Sequence, residues 1–179
     1  LSLPQKPKVG ISSCLLGELV RYDGDHEYCP AIITAMQNHF SLTSIFPKMV
    51  IGLGTPRETK NLVEINHEVH CIGTKTFSMD VTQPLKELAL SYQAQQQSNH
   101  QLVAGYIFKR GSPSCGTSNV KIIKKGELQR NGTGIYAQQL MECFPHMPVI
   151  QESELETEAQ RLQFIDAVFD YHQTLQLPT

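Results

Sequence analysis

Eight consecutive residues, Lys109-Arg110-Gly111-Ser112-Pro113-Ser114-Cys115-Gly116, carry two hydroxyls, a thiol, two cations and two glycines. Cations near a thiol lower its pKa and favour the thiolate, the form that binds a metal or attacks. A purely structural turn rarely needs this mixture. No G-x-S-x-G elbow surrounds either serine, which weakens a serine-hydrolase reading. A second thiol, Cys14, stands in Ser12-Ser13-Cys14-Leu15-Leu16-Gly17, with Arg21-Tyr22-Asp23-Gly24 close behind. A cysteine at the end of a buried strand sits where a ligand can reach it, and Gly17 lets the backbone turn sharply. Arg21 is near enough in sequence to line the same cleft. The plainer reading of Cys14 is a core cysteine beside an ordinary turn.

Two further segments present groups suited to anions or carbonyls. In Gly52-Leu53-Gly54-Thr55-Pro56-Arg57, the glycines permit close backbone approach and Pro56 stiffens the loop that presents Arg57. The guanidinium is a planar fork for a carboxylate, a phosphate or a ring carbonyl. The G-x-x-x-x-G-K spacing of a Walker loop is absent. Asn131-Gly132-Thr133-Gly134 precedes a predicted helix, whose first amides form a natural anion site. The histidines form no H-x-x-x-H pattern and read as surface residues, and Lys121, Lys124 and Lys125 read as a solvated face.

These segments need a frame. Short apolar runs predict strands at Val9–Ser13, Thr43–Phe46, Leu62–Ile65, Val69–Ile72, Leu102–Phe108 and Val120–Ile123, with an edge strand at Val149-Ile150. Turn chemistry falls at Asn66-His67 and Lys125-Gly126. Helices are predicted from Pro30 to about His39, from a Thr82 cap to about Gln97 with a frayed Gln95–Asn99 end, and from Gly134 to about Cys143. A Ser153/Glu156 capping box predicts a last helix with Leu155, Ala159, Leu162, Ile165 and Phe169 on its buried face. Strands alternating with helices predict an α/β fold: a single three-layer domain with a mainly parallel sheet and helices on both faces. Ligands then bind beyond the carboxyl ends of the strands. The loops starting at Cys14, Phe46 and Lys109 all leave such ends. Residues 1–8 read as a flexible N-terminal segment, 9–173 as the domain and 174–179 as a tail.

Composition narrows the function. The 179 residues suit one domain, and 40% apolar with 18% charged residues is an ordinary globular mixture. Fifteen Lys and Arg against seventeen Asp and Glu argue against a protein built to hold a long nucleic acid. No apolar run approaches the roughly 20 residues of a membrane helix. The start, Leu1 to Lys8, is polar and has no signal-peptide pattern. Five cysteines, at 14, 29, 71, 115 and 143, are odd in number and widely spaced, with no C-x-x-C pair. They predict thiols in a reducing, cytoplasmic setting, and any metal centre must gather ligands from distant loops.

The motifs Cys14-Leu15-Leu16-Gly17, Arg21-Tyr22-Asp23-Gly24, Thr55-Pro56-Arg57 and Ser112-Pro113-Ser114-Cys115-Gly116, in this order, resemble a bacterial family that includes the 2-thiouracil desulfurases. The likeness is nearest to a subgroup often followed by a second, helical domain. It implies an α/β domain holding a [4Fe-4S] cluster through three cysteines, with one iron left to take sulfur from a thiocarbonyl nucleobase. Cys14 and Cys115 match two ligand positions, and Ser112 matches a serine thought to assist catalysis. Phe46-Pro47-Lys48 stands where the family usually shows Cys-Pro-Glu, so the third ligand and a proton-transfer carboxylate are replaced. Cys29 or Cys71 could substitute as the third metal ligand, and Cys29, which opens a helix after the Arg21 loop, is the better candidate. Arg21, Asp23, Thr55, Arg57, Lys109, Ser114, Gly132 and Gly134 are the candidate ligand-binding residues. The expectation is a desulfurase-like protein for a small nucleobase-like or anionic ligand, with activity altered or lost. The alternatives are a metal-independent small-ligand or anion-binding domain, or an interaction module. Expected partners are a small molecule and further copies of the chain in a homo-oligomer, with no membrane.

Overall fold

The structure, a computed structural model, describes residues 5–19, 22–24, 29–45, 47–99 and 102–177. In chain order the first elements are β1 (Lys8–Ser12), α1 (Pro30–Gln37), β2 (Ser41–Ile45), α2 (Pro47–Val50), β3 (Lys60–Ile65), β4 (Glu68–Gly73) and α3 (Thr82–Asn99). There follow β5 (Val103–Phe108), β6 (Val120–Lys124), β7 (Glu127–Gly132), α4 (Ile135–Cys143), β8 (Val149–Gln151) and α5 (Glu158–Leu175).

Every residue of β5 is buried, which marks a strand covered on both faces. It lies inside an all-parallel sheet of order β2-β1-β5-β8. Val9, Ile11, Ala104 and Ile107 pack on one face against Ile33 and Met36 of α1 and Phe164, Ile165 and Val168 of α5. Val103, Tyr106 and Phe108 pack on the other against Leu85 and Ala89 of α3 and Tyr136 and Leu140 of α4. The α/β class and the helices on both faces are therefore as the alternation of elements implied. The register slips between Lys8 and Val9, whose partners are Val103 and Gly105, so Ala104 is an extra residue in β5. Gly105 matters for α5, because a Cβ there would lie 2.8 Å from the Val168 side chain.

A second sheet, of order β4-β3-β6-β7, stands beside the first and shares the Tyr106 side of the core through Leu62, Cys71, Val120 and Ile122. Only its central pair, β3 and β6, is parallel. Its two hairpins close on Asn66-His67 and Lys125-Gly126, all four residues having φ between 50° and 81°. That is the left-handed turn geometry two-residue hairpins favour. The strand β7 has no apolar pattern in the sequence. Its residues are mostly exposed, and an edge strand of this kind is held by backbone pairing to β6.

Several local expectations change. The helix at Thr82 runs to Asn99, through the polar stretch read as frayed. At its start Thr82 Oγ1 accepts the Cys71 N–H at 2.8 Å, and Asp80 Oδ1 accepts the Thr82 N–H at 2.9 Å. The last helix starts after Thr157, not Ser153, which lies in a 3-10 turn at Glu152–Glu154. Thr157 Oγ1 accepts the Gln160 N–H at 3.2 Å, and Gln160 Oε1 accepts the Thr157 N–H at 3.0 Å. The buried face of α5 is Phe164, Ile165 and Val168, while Ala159, Leu162 and Phe169 are exposed. Two apolar stripes share this helix at similar spacing. The stripe that reaches the sheet packs Val168 and Phe164 over Gly105. Replacing Thr157 with Ala leaves the Gln160 amide without its acceptor and is expected to cost about 1 kcal/mol in urea unfolding.

Candidate functional site at the carboxyl edge of the parallel sheet

Because all pairings in the first sheet are parallel, Ile45, Ser12, Phe108 and Gln151 end their strands along one edge. The chain leaves β1 into a 3-10 turn, Ser13–Leu16, that buries Ser13, Cys14 and Leu15. Gly17 closes it at φ 90° and donates its N–H to Cys14 O at 3.3 Å. Cys29 N–H donates to Leu15 O at 3.3 Å, so the half-buried residue heading α1 sits beside this turn. Sequence separation gave no hint of that neighbour relation.

The segment after β5 is held from four directions. Lys109 N–H donates to Ser12 Oγ at 3.1 Å, joining the ends of β5 and β1. Ser112 Oγ accepts the N–H groups of Ser114 and Cys115, each at 3.2 Å. The start of α4 holds the loop's far side: Gly134, Ile135 and Ala137 N–H donate to Gly116 O, Pro113 O and Ser114 O at 2.7, 3.1 and 3.0 Å. Gly134 lies so close that a Cβ there would come within 2.4 Å of the Ser114 carbonyl carbon. Gly132 is similarly tight, 2.9 Å from Val120 O by the same construction.

The fourth hold comes from residues that carried no motif. Glu152, after β8, accepts from Lys109 Nζ through Oε1 at 2.6 Å and from Arg110 N–H through Oε2 at 2.7 Å. Its side chain is 11% exposed and that of Lys109 is 20%. Gln151 Oε1 accepts the Thr117 N–H at 3.2 Å, and its Nε2 donates to Ser118 Oγ at 3.4 Å. A buried carboxylate is tolerable here because both oxygens are bonded and one partner is a cation. The signal in the sequence was only an acidic residue following a short edge strand.

Cys115 is 2% exposed and belongs to the core beside Tyr106 and Tyr136, whereas Cys14, 1% exposed, belongs to the core beside α1 and α5. Ser114 is also buried. Arg57 N–H donates to Tyr22 O at 2.8 Å and its guanidinium to Gly54 O. Burial lowers the Arg57 pKa from its ordinary value, and the neighbouring Asp23 carboxylate opposes that shift. The Tyr22–Gly24 segment and the Gly54–Arg57 loop are thus brought together, with Thr55 half-buried between the glycine and the arginine. Arg21 and Phe46 lie outside the described residues, as does the side chain of Lys48.

The geometry matches a known kind of protein. The family model described as 2-thiouracil desulfurase matches residues 9–152. The chain belongs to the 2-thiouracil desulfurase family. A solved structure titled [4Fe-4S]-dependent thiouracil desulfidase TudS is similar at a TM-score of 0.63 and 26% identity, covering 88% of this chain and 99% of that one. No curated protein is similar enough to match. Among the described residues, no group of three or more His, Cys, Asp or Glu side chains is gathered to hold a metal. Phe46, with a hydrocarbon ring, has no donor atom for iron. The residues described do not fit a three-thiolate cluster site. No described helix is long and apolar enough to cross a membrane.

Proposed function

We propose that this chain binds a small nucleobase-like thiocarbonyl or carbonyl compound at the carboxyl edge of the parallel sheet. Its desulfuration is altered or lost through Phe46 and Lys48. The observation that carries the reading is the Ser112 hydroxyl, which two backbone N–H groups approach from the loop that bears Cys115. Those donors withdraw charge from the oxygen, which makes its O–H a better donor and stabilises it after the proton has left. Such a group suits a ring nitrogen or exocyclic sulfur. Arg57 supplies a second, planar set of donors, with Asp23 beside it. Lys109 contributes positive charge while Glu152 sets its position. Arg21, Thr55 and Ser114 belong to the same proposal as ligand contacts, and Gly132 and Gly134 as the glycines that let α4 approach.

The experiment compares the chain as it stands with Phe46→Cys/Lys48→Glu. For the unaltered chain, 2-thiouracil at about 100 times its Kd is expected to stabilise the fold by about 2.7 kcal/mol, or roughly 5–10 °C in Tm. Anaerobic iron and sulfide treatment is expected to leave it nearly colourless. The double variant is expected to take up iron, turn brown and release sulfide from 2-thiouracil. Sulfide release by the unaltered chain would remove the claim of altered activity, and absence of any thermal response to 2-thiouracil or uracil would remove the ligand claim. A metal-independent binding role is the reading left if ligand stabilises the fold but the double variant gains nothing.

A further inference from the structure

Lys60, the first residue of β3, is a charged side chain with little to hold it. Only 6% of the residue is exposed, and it lies on the same face of the strand as the core residue Leu62. Its ammonium has two contacts among the described residues: Met79 Sδ at 3.1 Å and Glu58 O at 3.5 Å. A thioether is a weak acceptor, and the carbonyl lies at the limit of a hydrogen bond. The nearby Glu58 carboxylate is engaged elsewhere. Its Oε2 accepts the N–H groups of Lys75 and Thr76 at 2.7 and 3.0 Å. Those amides, more than the Lys60 charge, bring the Glu58 pKa down to about 2. The N–H donors of a buried cation thus share one sulfur and one long contact, and a further strong acceptor has most effect in such a place.

Met79 brings the sulfur from the connection between β4 and α3. Its backbone is fixed on both sides: the N–H donates to Thr76 O at 2.9 Å, and the carbonyl accepts the Gly73 N–H at 3.0 Å. The connection is drawn in tightly, since a Cβ at Gly73 would come within 2.5 Å of Thr76 O and 2.8 Å of Glu58 Oε2. Met79 is 38% exposed, whereas Met36 and Met147 are 0% and 5% exposed. This methionine therefore meets solvent while its sulfur touches a buried ammonium.

We propose that Met79 is a site of oxidation by peroxides and that Lys60 holds the sulfoxide. A sulfur lone pair attacks one peroxide oxygen and forms the S–O bond as the O–O bond breaks. Hydrogen peroxide leaves as water, so sulfur loses two electrons and the peroxide gains them. The sulfoxide oxygen is a strong acceptor where the thioether was a weak one. The unbranched side chain can back the sulfur off and set that oxygen against Lys60 Nζ. Oxidation of a methionine ordinarily loosens the packing around it. Here it supplies a strong acceptor to a poorly satisfied buried cation, so the sign is reversed and the fold gains stability. The contact fastens the start of β3, just behind the loop that presents Arg57, to the β4–α3 connection. It uses none of the residues assigned to ligand binding and stands apart from the function proposed at the sheet edge.

The full chain is treated with dilute hydrogen peroxide, then with dithiothreitol to reverse thiol oxidation, and followed by peptide mass spectrometry and thermal unfolding. Met79 is expected to gain one oxygen several-fold faster than Met36 and Met147, with a rise in Tm of about 2–4 °C as it does. The rise is expected to be absent in Lys60→Leu and in Met79→Leu given the same treatment. Met79→Gln, whose side-chain carbonyl takes the place of the sulfoxide, is expected to show a similar rise without any peroxide. A Tm that falls or stays level as Met79 is oxidised overturns the proposal, as does oxidation of Met79 no faster than that of the buried methionines. An equal rise in Lys60→Leu overturns the role of Lys60. Should Lys60→Leu not fold, Met79→Gln decides, and a Tm at or below that of the parent rejects the proposal.

Discussion

Glu152→Ala is expected to lower stability by about 2–3 kcal/mol, or roughly 4–12 °C in Tm, although residue 152 lies in no recognisable motif. The change removes both acceptors of the clamp at the end of β8. It removes the carboxylate 2.6 Å from the Lys109 ammonium, whose side chain is 20% exposed, and the 2.7 Å acceptor of the Arg110 N–H. Breaking a fully buried pair from one side costs about 3–5 kcal/mol. The lower range applies because Lys109 keeps part of its water. Glu152→Gln retains an oxygen for the Arg110 amide but loses the charge, and is expected to recover about half of the loss. The same variants are expected to weaken 2-thiouracil binding, because the clamp holds the start of the loop that presents Ser112. Thermal and urea unfolding read the stability arm without any ligand. A Glu152→Ala chain within 0.5 kcal/mol of the parent would mean that the carboxylate does not hold the loop.

Gly134→Ala is expected to destabilise by about 3 kcal/mol, near the upper end for overpacking. The added Cβ would meet the Ser114 carbonyl carbon at 2.4 Å and the Cys115 nitrogen and Ser114 oxygen at 2.6 Å, all backbone atoms that cannot rotate away. Backbone strain is not the reason, since φ is −62° at this position and suits alanine. In the unfolded chain alanine is the stiffer residue, which by itself would stabilise by about 0.4–1 kcal/mol. A net loss therefore measures the clash. The loop must move off α4, lengthening the three hydrogen bonds that join them, and Cys115 moves with it. Native-state alkylation followed by peptide mass spectrometry is expected to show faster labelling of Cys115, which is 2% exposed in the parent. Equal labelling rates and equal stability would show that loop and helix are not seated on one another.

Both variants act at a loop whose chemistry was visible in the sequence while its supports were not. The mixture of Ser112, Ser114, Cys115 and two cations stands out because such side chains are costly to collect in a plain turn. The residues that position it announce themselves weakly. Gly134 reads as an ordinary helix start, and Glu152 as a surface acid, because close approach and ion pairing depend on what a distant segment brings near. The same limit explains α5. Its sequence contains two apolar stripes, and the one that is buried packs Phe164 and Val168 over Gly105, a contact no local pattern shows. It explains β7 as well, where backbone pairing to β6 makes a strand of residues with no apolar alternation.

By itself the sequence determined the α/β alternation, the apolar strand at Leu102–Phe108, the hairpin turns at Asn66 and Lys125, and the family motifs around Cys14 and Cys115. These are properties of composition, period and order along the chain, which local sterics and solvation read directly. The tertiary structure decided the rest: the second sheet, the meeting of Cys29 with the Cys14 turn, the clamp from Gln151 and Glu152, and the contact of Lys60 with Met79. Each joins residues separated by a turn or by most of the chain. Such contacts are set by packing geometry, which no short window of sequence contains.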